Sequence, residues 1–133
     1  KRLPFPDESL DCVISNYVFE HVRDLDAAFK EILRVLKPNG KLLVSLPTEG
    51  GIAWDLGRRI TSKRYMEQKF DIDYMELIRQ EHVNTCNEVI SVLKRHFLIN
   101  DKSYMPFVIP TVHLNAIVGI ECEKINKNAQ AGE

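Results

Sequence analysis

The sequence predicts an α/β fold, with parallel strands joined through helices that cover them. Two nearly continuous apolar runs, Leu10–Ser15 and Lys41–Leu46, flank a segment whose apolar residues Leu25, Ala28, Phe29, Ile32, Leu33 and Leu36 recur at helical spacing. Continuous apolar runs suit strands covered on both faces, and the order strand, helix, strand makes a parallel crossover. At 133 residues there is chain for one domain, which would bury about two-thirds of its unfolded surface.

The elements follow in order. Cys12, Val13 and Ile14 form the apolar centre of the first strand, expected at the middle of the sheet. Asp24 is placed to cap the helix, Asp26 and Lys30 stand four apart on its wet face, and Lys37 adds positive charge before Pro38 ends it. Asn39-Gly40 then turns the chain into the second strand, which stops at Pro47. From 48 to 82 the pattern weakens: Gly50-Gly51 reads as a loop, and Trp54, Leu56 and Ile60 mark a short helix within an expected lid or substrate insertion.

Thr85-Cys86-Asn87-Glu88 has the spacing of a capping box, followed by Val89, Ile90, Val92, Leu93 and Phe97 along one helical face. Phe97-Leu98-Ile99, continuing past Asn100-Asp101 to Tyr104, predicts a third strand, and Leu114–Cys122 a fourth; Pro106 and Pro110 lie in an irregular loop between them. The domain is expected to occupy residues 1–125, with a polar, frayed tail over 126–133.

Composition excludes several classes. With 18 cationic against 19 acidic side chains the net charge is -1, which gives no long-range attraction to nucleic acid or anionic membrane, so neither is an expected partner. Three widely spaced cysteines, Cys12, Cys86 and Cys122, form neither a disulfide framework nor a metal-ligand pattern, and they suit a reducing cytoplasm. No stretch reaches the roughly 20 apolar residues that span a bilayer.

Three stretches carry a resemblance: Leu3-Pro4-Phe5 before an acidic turn and Leu10-Asp11-Cys12-Val13-Ile14; Glu20-His21-Val22; and the run from Glu31 through Arg34-Val35-Leu36-Lys37-Pro38-Asn39-Gly40. Together they closely resemble the second half of the class I S-adenosylmethionine-dependent methyltransferases, densely from Leu3 to Pro47 and by element order beyond. The resemblance implies a Rossmann-like sheet ordered 3-2-1-4-5-7-6 with strand 7 antiparallel, of which this chain supplies strands 4, 5, 7 and 6. It also implies S-adenosyl-L-methionine as cofactor, across the carboxyl ends of the strands, and a small-molecule acceptor. The family's glycine-rich loop has no counterpart, since no G-x-G occurs here. A chain opening on Lys1 is therefore read as truncated and inactive alone, or else as a non-catalytic remnant that self-associates through the edge of the Leu10–Ser15 strand.

Site residues carried over by resemblance are Leu3 and Phe5, bordering the adenine, and Ser15, Asn16, Tyr17 and Val18, lining the methionine portion, with His21 close by. Glu20 is expected to be a local hydrogen-bond acceptor. A hydroxyl acceptor would require a base, for which His82 is the first choice and Tyr17 the second catalytic candidate, with Glu49, Glu81 and His113 further along. Arg58-Arg59 and Lys63-Arg64 form a basic cluster suited to an anionic substrate group or a solvated helix face, beside Trp54.

Overall fold

A computed structural model describes residues 2–48, 51–70, 76 and 81–124. Four strands, β1 (Leu10–Asn16), β2 (Leu36–Pro47), β3 (Phe97–Met105) and β4 (Ile117–Lys124), form one sheet in the order β1-β2-β4-β3. β1 runs parallel to β2, and β4 is antiparallel to both β2 and β3. This is the 4-5-7-6 order with an antiparallel strand 7 that the resemblance implies. The helices are α1 (Leu25–Val35), α2 (Ile52–Arg58), α3 (Arg64–Phe70) and α4 (Cys86–His96), with a π-helical turn at Arg59–Lys63 between α2 and α3. The 126–133 tail, Glu49 and Gly50 lie outside the described residues.

The core sits on one face of the sheet. Leu42, Val44 and Leu46 of β2 pair with Cys122, Ile120 and Val118 of β4, and all six are buried. Phe29 and Ile32 of α1 and Val89 and Leu93 of α4 pack onto that layer, with the Phe29 ring edge-on to Phe97 at 5.9 Å. The opposite face carries Cys12, Ile14, Lys41, Leu43, Ser45 and Glu121, and Ile14 is 74% exposed. β1 is thus an edge strand covered on one face among the described residues, rather than the central strand that its apolar run predicts.

Several boundaries differ from the sequence reading. α1 stops at Val35, because Leu36 is already extended and the residue before Pro38 is driven out of helical conformation. Leu36 pairs with Leu10, the ladder breaks, and it resumes at Cys12 and Lys41; Lys37–Gly40 bulge out, with Asn39 at φ 63° and Gly40 where a Cβ would press on the Lys37 carbonyl. β4 begins at Ile117, not Leu114, because Asn115 is buried and committed to the preceding loop. β3 runs to Met105 with a bulge at Asn100.

Caps behave as read: Asp24 accepts from the Ala27 N–H, and Thr85 and Glu88 form a reciprocal capping box. Asp26 feels the charge of Lys30 one turn on, but its hydrogen bonds go across to another helix. Its carboxylate accepts from His96 Nε2 at 2.6 Å and from Arg95 at 3.2 Å, both on α4, so it joins the two helices.

The N-terminal segment is held by Arg34. Its guanidinium donates to the carbonyls of Leu3 and Phe5 and to the carboxylates of Asp7 and Glu31, while the Leu3 N–H donates to Glu31. The Arg34 hydrogen bond, then the Leu3 N–H, hold the Glu31 carboxyl down at about 2, from an ordinary 4.5. Because the folded value lies below the unfolded one, this contribution is complete above pH 4.5 and disappears as pH falls towards 2. Thermal melts from pH 6 downwards should therefore show Glu31→Gln less stable than the parent at pH 6, with the gap closing below pH 4.5; a constant gap contradicts the assignment.

Candidate functional site

The carboxyl end of β1 is where side chains with chemistry collect. β1 leaves the sheet at Tyr17, whose N–H still donates to the Ser45 carbonyl and whose φ of 52° turns the chain sharply out of extended conformation. Such backbone strain in a non-glycine residue persists only where its surroundings enforce it. One turn of 3-10 helix, Phe19–His21, follows, closed by the His21 N–H donating to Val18 and leading into α1.

This turn is tied to the segment before α4. The Val83 and Asn84 N–H groups both donate to the Glu20 carbonyl, and the Asn84 amide donates to Phe19 and Val22 carbonyls at 2.9 and 2.6 Å. His21 Nδ1 lies 2.9 Å from the Glu81 carbonyl, which can only accept, so Nδ1 carries the proton and Nε2 the lone pair of the neutral ring. The His82 ring meets His21 edge-on, with centroids 4.6 Å apart. Tyr17, Glu20, His21 and His82 are therefore gathered at one corner from segments more than sixty residues apart.

Two atoms there are left with hydrogen-bonding capacity. Ser15 Oγ, on the covered face of β1, and Glu20 Oε2 are buried without a hydrogen-bond partner among the described residues. For Glu20 this departs from the expected role: its backbone carbonyl does the accepting, and the carboxylate oxygen remains unused. Burial, then the Glu20 charge, raise the Tyr17 phenol above its ordinary value, so it stays protonated and acts as a donor rather than a base at neutral pH. Asn16 and Val18 are exposed beside it.

Other candidates lie elsewhere. Leu3 and Phe5 stand beside the last turns of α1, towards the start of β1, with Leu3 packed on the core and Phe5 exposed. His113 is exposed in the proline loop. Arg59 is exposed, Lys63 lies 3.8 Å from Glu67, and the side chains of Arg58 and Arg64 lie outside the description. Trp54 is half-buried with its indole nitrogen unpartnered among the described residues. Burial pushes the Cys86 and Cys122 thiols up to about 11 and about 12, keeping them neutral. Sequence reasoning missed Asn84; its only signal was an amide side chain next to a helix cap.

Residues 1–44 match a protein family described as a methyltransferase domain. Over 44 residues, 33% of the chain, the sequence is 52% identical to the ubiquinone/menaquinone biosynthesis C-methyltransferase UbiE of Pasteurella multocida, of which this stretch spans 16%. The fold is similar to that of a solved S-adenosylmethionine-dependent methyltransferase from Thermotoga maritima, with TM-score 0.62 and 20% identity over 93% of this chain and 60% of that one. It is also similar to the N-methyltransferase NodS from Bradyrhizobium japonicum, solved with S-adenosyl-L-homocysteine, with TM-score 0.53 and 13% identity over 92% and 50% of the two chains.

Asn84→Ala removes two hydrogen bonds that hold the 3-10 turn and leaves two carbonyls to find other donors. It should cost about 1–3 kcal/mol in urea unfolding, and hydrogen exchange should report the loss at the His21 amide; an unchanged midpoint would show that the turn holds itself.

Proposed function

We propose that this chain belongs to the class I S-adenosylmethionine-dependent methyltransferases, on its match over residues 1–44 and its similar fold, and that it takes part in methyl transfer to a small-molecule acceptor at the corner formed by Ser15–His21 and His82. The observation that carries the reading is the convergence of a protonated phenol, an imidazole of defined tautomer and a buried, unsatisfied carboxylate oxygen just past the carboxyl end of a parallel strand. Ligands of open α/β sheets bind at that end of the strands.

The residues present fit one side of S-adenosylmethionine. The orphaned Glu20 Oε2 is an acceptor for an ammonium or hydroxyl donor, and Ser15 Oγ offers both a donor and an acceptor. Asn16 and Val18 border the same place, whereas Leu3 and Phe5 lie towards the opposite end of β1 and are not part of this corner. When bound, the cofactor supplies an electrophilic methyl group on a sulfonium centre. The chain's own part is to hold the acceptor in line, where alignment provides much of the rate. The Tyr17 phenol donates a hydrogen bond to the acceptor, and His21 Nε2 or His82 receives the proton that a hydroxyl acceptor must release.

Calorimetric titration of the chain with S-adenosylmethionine tests the reading. From this half of the fold, without the glycine-rich loop, only weak binding with a dissociation constant near or above about 1 mM is expected, weakened further by Glu20→Gln; a Glu20→Gln curve superimposable on the parent's counts against the reading.

A second reading has its own observation: β1 stands at the sheet edge with Ile14 largely exposed, and its outer edge, unpaired among the described residues, is one that a second copy can extend. Light scattering at micromolar concentration should then report a dimer that Ile14→Lys returns to a monomer; a monomeric parent removes this reading.

A further inference from the structure

The helical run after β2 turns apolar side chains towards water. Ile52, Leu56 and Ile60 recur every four residues through α2 and the π turn, and they are 70%, 58% and 67% exposed. Four-residue spacing places them along one side, while Trp54 is half-buried on another. The same run is locally basic: residues 51–70 hold five lysines and arginines against two carboxylates, in a chain whose net charge is -1. Arg59 and Lys63 share the four-residue spacing and border an open depression of about 680 Å³, together with Gln68 and with Glu67, whose carboxylate lies 3.8 Å from Lys63.

A second exposed apolar element lies against the start of α2. Phe107, Val108 and Ile109, at the tip of the proline loop, are 55%, 92% and 52% exposed. Their backbone is held in place by the fully buried Asn115, whose side chain accepts from the Phe107 N–H and donates to the Ile109 and Thr111 carbonyls, each at 2.8 Å. The Thr48 hydroxyl donates to the Asn115 carbonyl, and Gly51, which precedes α2, fits so closely under the Val112 carbonyl that a Cβ there would collide with it. The base of the loop is thereby fastened to the residues that lead into α2.

We propose that this face docks on the headgroup and acyl boundary of an anionic lipid bilayer. Ile52, Leu56, Ile60 and Val108 enter the apolar layer, while Arg59 and Lys63 meet the lipid phosphates. The arrangement is that of an interfacial amphipathic helix, whose binding adds apolar burial to attraction for anionic headgroups. An acidic peptide would satisfy the cations but leave the apolar stripe and loop tip in water; a neutral apolar partner would strand the cations. Among the described residues no helix is long and apolar enough to cross a membrane, so the face lies on the surface. The expectation of no membrane partner rested on net charge, which averages over this segregation of charge along the chain.

The inference is independent of methyl transfer and is tested on the full chain by co-sedimentation with phosphatidylcholine vesicles, with and without about one-third phosphatidylglycerol. Binding is expected to the anionic vesicles only and to weaken as salt rises from about 0.05 to 0.5 M. Leu56→Asp and Val108→Asp should abolish sedimentation, and Arg59→Glu should lower the partition coefficient about tenfold. All three positions are solvent-exposed, and circular dichroism melts matching the parent's will show that the fold is intact. Failure to bind anionic vesicles overturns the proposal, as does equal binding to neutral ones or full binding by Leu56→Asp. Capture by an acidic peptide with no vesicle binding also overturns it and makes the face a protein interface.

Discussion

Everything in this fold hangs on the antiparallel pairing of β2 with β4. Seven consecutive residue pairs join them, and the inward members, Leu42, Val44 and Leu46 against Cys122, Ile120 and Val118, form the floor on which α1 and α4 rest. Burying side chains of this size contributes roughly 1.5–3 kcal/mol each, so the two central strands carry a large share of the gain that offsets chain entropy. β1 and β3 are secured by pairing with these strands, and each has one unpaired side.

The site and the apolar face both follow from that floor. β1, held parallel to β2, ends where Tyr17 can still reach the Ser45 carbonyl, and from there the chain can cross to α1 only through a strained turn. α4, packed on the same floor, brings Val83 and Asn84 onto that turn. At the same end of the sheet, β4 pairs with β2 from Ile117 opposite Pro47, which sets the proline loop against Thr48 and the beginning of α2.

Polar groups divide along the same lines. Arg34, Asp26 and Asn115 spend their hydrogen bonds on architecture, joining the N-terminal segment to α1, α1 to α4, and the proline loop to itself. Ser15 Oγ and Glu20 Oε2, by contrast, are buried at β1's end with no hydrogen-bond partner among the described residues. Buried acceptors without partners are costly, and their place beside a strained turn is what the proposed site rests on.

The sequence by itself determined the elements whose signals are local. Apolar spacing marked α1 and the start of α4, the Thr85 to Glu88 box and the Asp24 cap marked their beginnings, and the stretch from Leu3 to Pro47 carried the methyltransferase resemblance, which implied the strand order. Contacts between distant segments were left to the tertiary structure. Nothing near Asp26 announces His96, nothing near Glu20 announces Asn84, and the apolar run in β1 reads as doubly covered although one of its faces is open. Periodicity reports which side of an element is apolar. Only packing decides whether that side meets a core or water: for Ile14 on β1 the answer is water because the sheet's core helices lie on one face alone among the described residues, and Ile52, Leu56 and Ile60 are exposed as well.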